Sequence, residues 1–379
     1  MKNYMILAAA AALTLTACVK TETVKNTEAE PVTFGVYTAK TKAVSATTYG
    51  TIDQTALQNS TYGFGVFAFH SDGNANSYAA GTPSNFQPNF MYNQQVKYES
   101  STWTYTPVKY WPNEYNTTDA IGSDVDKLTF FAYAPYVATT AVDTEGITAF
   151  SANNATGDPT LSFKVPAASD KQIDLLWNDA DLKNKTKIAV NGKVQFNFVH
   201  ALSNLSIYPL AVVDGTTIPA SNGTDLASGT TITINSITIT GKFNQEGTLN
   251  LATGVWTSSA ASADQTVTYQ PTTAYDVTNI NDKAEATTPV AQFMFIPSSA
   301  AADYVININY DVTTTDSALV TGKSVVNNNI HKTLSSLNFE KGKKMKLYVA
   351  LGMTSVKFEA VVGNWTDATD QNVWLPVNL

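Results

Sequence analysis

The sequence predicts an all-β fold of two antiparallel β-sandwich domains in tandem, and three observations carry that prediction. Short runs of alternating apolar and polar residues recur along the chain, as where Tyr304, Ile306, Ile308 and Tyr310 alternate with Val305, Asn307 and Asn309, and this is the period of a half-buried strand. No segment keeps the i, i+3, i+4, i+7 stripe of an amphipathic helix over a helix's usual length. The 379 residues exceed what one β core ordinarily organises, and the composition, 11% aromatic and only 14% charged, is strand-forming rather than disordered.

The first residues read as a leader rather than as part of the fold. Met1, Lys2 and Asn3 form a short basic start, residues 4–15 are apolar but too short to span a bilayer comfortably, and Thr16, Ala17 and Cys18 follow. Small residues before a cysteine resemble the bacterial lipobox, in which the thiol is lipidated and becomes the new N-terminus. Cys18 is the only cysteine in the chain, so it has no intramolecular disulfide partner, and lipidation accounts for it. Residues 1–17 are therefore assigned as signal peptide and residues 18–30, polar and rich in Thr and Glu, as a flexible tether. Such a protein is anchored to a membrane and does not cross it.

The N-terminal sandwich is expected over residues 31–188. Val32, Phe34 and Val36 share one face of a first strand, and Lys40 and Lys42 follow it. The run from Gly63 through Phe69 is apolar on both faces, which places it centrally in a sheet, and a loop rich in Gly, Asn and Ser comes next. Trp103 and Tyr105 lie in a strand interrupted by Pro107 and Pro112, a pattern of edges and corners. Leu128, Phe130, Phe131 and Tyr133 make a buried strand stopped by Pro135, Leu161 and Phe163 alternate in another, and Ile173 through Trp177 gives the last.

The C-terminal sandwich is expected over residues 189–379, opening on the stretch that follows the turn signal Asn191-Gly192. There Val194, Phe196, Phe198, His200 and Leu202 share one phase, while Leu205 and Ile207 take the other, so a bulge is expected near Ser203 and Asn204. A similar phase shift at Asn235 and Ser236 splits or bulges the Ile-Thr run around them, and Phe243, Leu249, Leu251 and Trp256 mark a hairpin around Gly247. Phe293 to Ile296, the Tyr304 run, Met345 to Leu351 and Val356 to Val362 supply further strands. After Trp365 and a polar turn, Val373, Leu375, Val377 and Leu379 occupy alternate positions to the last residue, although termini are ordinarily polar and frayed. Pro376 lacks an amide donor, so this strand cannot pair fully on both sides. It is either an edge strand of its own domain or a strand donated to a neighbouring subunit by β-augmentation.

Net charge is −8 and every one of the 23 basic residues is lysine. Without arginine there is no planar fork for phosphate, and the one basic cluster, Lys341, Lys343, Lys344 and Lys346, is too small for a nucleic-acid surface. His70, His200 and His331 are not at metal-ligand spacing, and His200 reads as a buried, hydrogen-bonded imidazole. Asp174, Asp179 and Asp181 could bind calcium, but the loop lacks the central glycine and distal glutamate of an EF-hand. Trp103, Tyr105, Tyr110, Trp111 and Tyr115 could stack on sugars, with a core-and-corner role the stronger reading. No phosphate loop or nucleophile elbow occurs, so neither an enzyme nor a cofactor is expected. Paired carboxylates of a glycosidase would be set by the fold, not by spacing.

Residues 196–205, Phe-Asn-Phe-Val-His-Ala-Leu-Ser-Asn-Leu, together with Tyr110-Trp111-Pro112, Phe130-Phe131-Ala132-Tyr133-Ala134-Pro135, Asp174-Leu175-Leu176-Trp177 and Val361-Val362-Gly363-Asn364-Trp365, resemble the fimbrillin family in their order along the chain. Fimbrillins are subunits of type V pili of Bacteroides-type bacteria. The resemblance implies transthyretin-like sandwiches, export as an outer-membrane lipoprotein through Cys18, and a place in a cell-surface fimbria among other pilus subunits. It also implies polymerisation by donor-strand exchange. A protease removes the first strand, here Val32 to Val36, and the C-terminal strand of another subunit, here Val373, Leu375, Val377 and Leu379, fills the groove. Known members are cut after arginine, so Lys40 or Lys42 must serve here, or the chain keeps its first strand and acts as an anchor that donates without accepting. The other readings are a monomeric surface lipoprotein that binds glycans or host and bacterial surface proteins, and a secreted glycosidase.

Overall fold

Alternation decides which residues face inward, and the computed structural model shows which neighbours they find; it describes residues 30–38, 50–58, 63–71, 78, 86–112, 126–187, 189–213, 217–258, 262–298, 300–353, 356–365 and 373–374. In chain order the first part holds β1 (Thr33–Thr38), a single-turn helix α1 (Gln54–Leu57), β2 (Phe64–Ser71), β3 (Met91–Glu99), β4 (Thr102–Thr104), β5 (Lys127–Ala134), β6 (Gly146–Phe150), β7 (Thr160–Lys164), β8 (Leu176–Asn178) and β9 (Lys193–His200). The second holds β10 (Ser203–Ala211), β11 (Thr230–Gly241), β12 (Glu246–Asn250), β13 (Trp256–Ser258), β14 (Gln265–Tyr269), β15 (Tyr275–Asp276), β16 (Ala291–Phe295), β17 (Ala302–Thr315), β18 (Lys323–Leu337), β19 (Lys343–Leu351), β20 (Val356–Asn364) and β21 (Val373–Trp374). The chain is all-β, as its alternation predicts. Asp53 caps α1 by accepting the Ala56 N–H at 2.7 Å.

Four sheets result. A seven-stranded sheet has the order β1-β9-β8-β5-β2-β3-β4, a four-stranded sheet β13-β12-β7-β6, and two five-stranded assemblies β16-β10-β19-β20-β21 and β14-β11-β17-β18, with β15 also on β11. Strands β2 and β5 are buried on both faces. One face of the seven-stranded sheet carries a core that includes Phe34, Phe64, Phe130, Phe196 and Phe198. Its other face turns Phe67, Phe69, Phe131 and Tyr133 toward Leu161, Phe163 and Leu249 of the four-stranded sheet and toward Leu251 just beyond it. The two five-stranded sheets enclose a third core, where Leu205, Ile207, Leu347 and Val349 meet Ile232, Ile237, Ile306 and Ile308. Strand β11 shifts register between Ile234 and Ser236, where the sequence changes phase.

Besides adding strands that the pattern does not mark, β3 and β18 among them, the structure departs from the sequence expectation in three places. The central stretch is two strands in different sheets: β9 pairs with β1 and β8, whereas β10 pairs with β16 and β19. The change of sheet thus falls at Ala201 and Leu202, and Lys193–His200 does not open the second sandwich as a boundary at 188/189 requires. What looks like a bulge in the pattern is a chain crossing from one core to another, as strands do at the corners of packed sheets. The β12–β13 hairpin pairs through β12 with β7, so residues from both sides of that crossing share one sheet. Finally, the ladders β1–β9 and β10–β19 are parallel within an otherwise antiparallel arrangement.

Candidate functional site

The first strand lies in a groove that the rest of the chain lines. Val32 and Phe34 are 1% and 2% exposed because they point into the aromatic core, where the Phe34 ring lies 5.2 Å from Tyr105, 5.5 Å from Phe196, 6.1 Å from Phe130 and 6.3 Å from Phe64. On one side β1 pairs with β9 in register from Thr33 opposite Lys193 to Thr38 opposite Phe198. On the other side the segment after β4 closes over it. The Val32 N–H donates to Lys109 O and the Trp111 N–H to Glu30 O, each at 2.9 Å. The Tyr105 hydroxyl donates to Val32 O at 2.8 Å, and burial pushes its phenol above the usual tyrosine range. Lys187 pairs with Glu30 at the strand's entry.

A second set of contacts holds the root of the C-terminal tail where the chain changes sheets. His200 is buried with Nδ1 2.7 Å from Asp174 Oδ2, and Asp174 is wholly buried and also accepts the Ile52 N–H at 3.2 Å. The imidazole stacks on Trp365, with centroids 4.0 Å apart and planes 6° off parallel. The Trp365 N–H donates to Gly342 O, whose own N–H donates to Leu202 O, both at 2.9 Å. Across the crossing, Trp256 Nε1 donates to Ala201 O at 2.8 Å, and Lys341 Nζ sits 4.5 Å from the Trp177 ring centroid. Burial lowers the Lys341 ammonium below the usual lysine range.

Several residues marked by sequence fall outside the described residues: Cys18, Lys40, Lys42, Tyr115, Leu375, Val377 and Leu379. Val373 is described in its backbone, where Val373 and Trp374 pair with Val362 and Val361 of β20. The expectation of a buried, hydrogen-bonded His200 agrees with its place. The three aspartates do not converge: Asp174 serves His200, Asp179 accepts from Asn197 Nδ2, and Asp181 accepts the Lys183 N–H. Among the described residues no group of three or more His, Cys, Asp and Glu could hold a metal ion. Trp103 and Tyr105 pack on Phe64 and Phe34, so they belong to the core and not to a sugar-stacking surface. Sequence reading did not single out Gln195, because its role depends on the register between β1 and β9.

A family profile described as fimbrillin-like matches residues 54–365. The chain belongs to the fimbrillin-like family. A fimbrium subunit, Fim1C, of Phocaeicola vulgatus is 28% identical over 361 residues, covering 86% of this chain and 88% of that protein. A crystal structure of a fimbrial protein from Bacteroides vulgatus shares the fold with a TM-score of 0.60 at 24% identity, covering 89% of this chain and 99% of that one. This fimbrillin-like chain is therefore a structural pilus-type protein and not an enzyme. The matched span begins at α1 and ends at Trp365, so it includes the groove walls and the tail root but neither β1 nor residues 366–379.

Proposed function

We propose that this fimbrillin-like chain is a structural subunit of a cell-surface pilus that assembles by donor-strand exchange, with the seat of β1 as acceptor and residues 373–379 of another copy or subunit as donor. The chain would be exported as an outer-membrane lipoprotein through Cys18. The seat of β1 carries the reading, because one short strand fills an aromatic groove whose walls come entirely from later residues. Withdrawing β1 exposes the β9 edge and the pocket of Phe34 together. The relative named as a fimbrium subunit supports the pilus role.

The energetics are compatible. Burying the four alternating side chains Val373, Leu375, Val377 and Leu379 yields about 6–12 kcal/mol gross at ~1.5–3 kcal/mol each. Association costs about 4–15 kcal/mol, so only a preformed, vacated groove would be filled. Cleavage after Lys40 or Lys42 would vacate it, and an uncut chain would donate without accepting.

Deleting residues 372–379 tests the reading. It is expected to abolish fibres and high-mass ladders on mildly denaturing gels while circular dichroism remains native, and fibres that persist overturn it. N-terminal sequencing of assembled protein separates the subunit types: a start near residue 43 marks a cut acceptor, and a blocked Cys18 marks an anchor that retains β1.

A further inference from the structure

Gly35 stands directly opposite Gln195 in the parallel ladder of β1 and β9. Its neighbours Phe34 and Val36 point toward the core, so position 35 faces outward, and the Gln195 side chain lies across it. A Cβ at position 35 would meet the tip of Gln195, with Gln195 Cδ at 3.0 Å and Lys193 Cε at 2.7 Å. A side chain at position 35 would push aside the flexible tips of Gln195 and Lys193. With its amide turned so that oxygen faces the strand, Gln195 accepts from the N–H of Val36 at 3.1 Å and of Tyr37 at 3.2 Å. One exposed side chain thus clasps the far half of β1, and it does so because residue 35 has no side chain.

The donor segment differs at this point. With Val373, Leu375, Val377 and Leu379 turned inward, its outward positions are Trp374, Pro376 and Asn378, and residues 366–379 contain no glycine. Whatever its register, the segment brings a Cβ to the place that Gln195 occupies. We infer that Gln195 is a specificity-determining latch of the groove, favouring the glycine-bearing β1 over residues 373–379 of a second copy. This rests on the strand-exchange reading above. The latch holds β1 against displacement by the tails of neighbouring subunits, and exchange with a tail requires Gln195 to swing aside.

Amide hydrogen exchange on the full chain decides whether the latch exists. In Gln195→Ala, exchange at Val36 and Tyr37 is expected to quicken about fivefold, the scale of one net hydrogen bond, while β10 amides stay protected. Unchanged rates at Val36 and Tyr37 overturn it. Labelled peptides of residues 372–379, native or carrying Trp374→Gly, Pro376→Gly or Asn378→Gly, are then offered in excess to wild-type and Gln195→Ala protein cleaved between β1 and α1, so that β1 competes for the groove without a covalent tie. One glycine peptide should enter the wild-type protein faster than the native peptide, and Gln195→Ala should erase that advantage. Equal capture of all four by the wild type overturns the latch. If no peptide enters either protein, strand exchange itself fails, and the amide rates alone decide the latch.

Discussion

β1 and β21 are the outermost strands of the described chain, and they are held very differently. β1 runs beside β9 over 6 residues, is crossed on its other side by bonds to Lys109 and Tyr105, and sends Phe34 into a cluster of rings. β21 spans 2 residues, paired to the edge of β20. Pairing alone would make both ordinary edge strands, so the groove beneath β1 makes the difference. A strand that fills a core pocket leaves a costly void when it goes, and such a void is what another strand can fill.

The comparison can be broken at the seat of β1 first. Phe34→Ala removes a fully packed ring and should lower stability by about 3–5 kcal/mol in chemical denaturation. A loss below about 1 kcal/mol would mean that the groove collapses without its anchor. The root of the tail comes next. Asp174→Asn weakens the bond that orients His200 under Trp365 and should cost about 1.5–3 kcal/mol, with loss of Trp365 fluorescence anisotropy if the stacking loosens. Smaller still is Tyr105→Phe, which deletes the bond to Val32 O at about 0.5–1.5 kcal/mol and should speed amide exchange in β1 but not in β17.

The same tyrosine carries a pH signature. Its folded pKa is raised by burial, so its contribution is complete below the unfolded value of about 10 and declines as pH rises past it, because the unfolded phenol ionises while the folded one resists. Unfolding midpoints measured from pH 8 to pH 11, a window chosen around the ordinary tyrosine value of about 10, should fall less steeply in Tyr105→Phe than in the wild type. Identical slopes would remove Tyr105 from the account.

Much of this architecture is legible in the residue pattern alone. The two-sided apolar runs of β2 and β5 are central strands, the phase slip at Asn235 is a register shift, and His200 is a core histidine. Asn191 and Gly192, with φ of 49° and 75°, make the turn their residue types announce. The crossing at Ala201 and Leu202 is not legible there, because a change of phase has the same appearance whether a strand bulges or leaves its sheet. Nor is the clasp of Gln195 on Gly35, since residues so far apart in the chain meet only through a parallel register.

The sequence by itself determined an all-β body and the buried faces of its alternating strands, because alternation against water is a local property of a strand, while the order of its motifs carried the fimbrillin resemblance. Only the tertiary structure decided that β9 belongs with β1, that β12 crosses to β7, and that a groove forms around Phe34. Pairing is chosen by the fit of distant faces, and apolar alternation says which face is buried without saying against what.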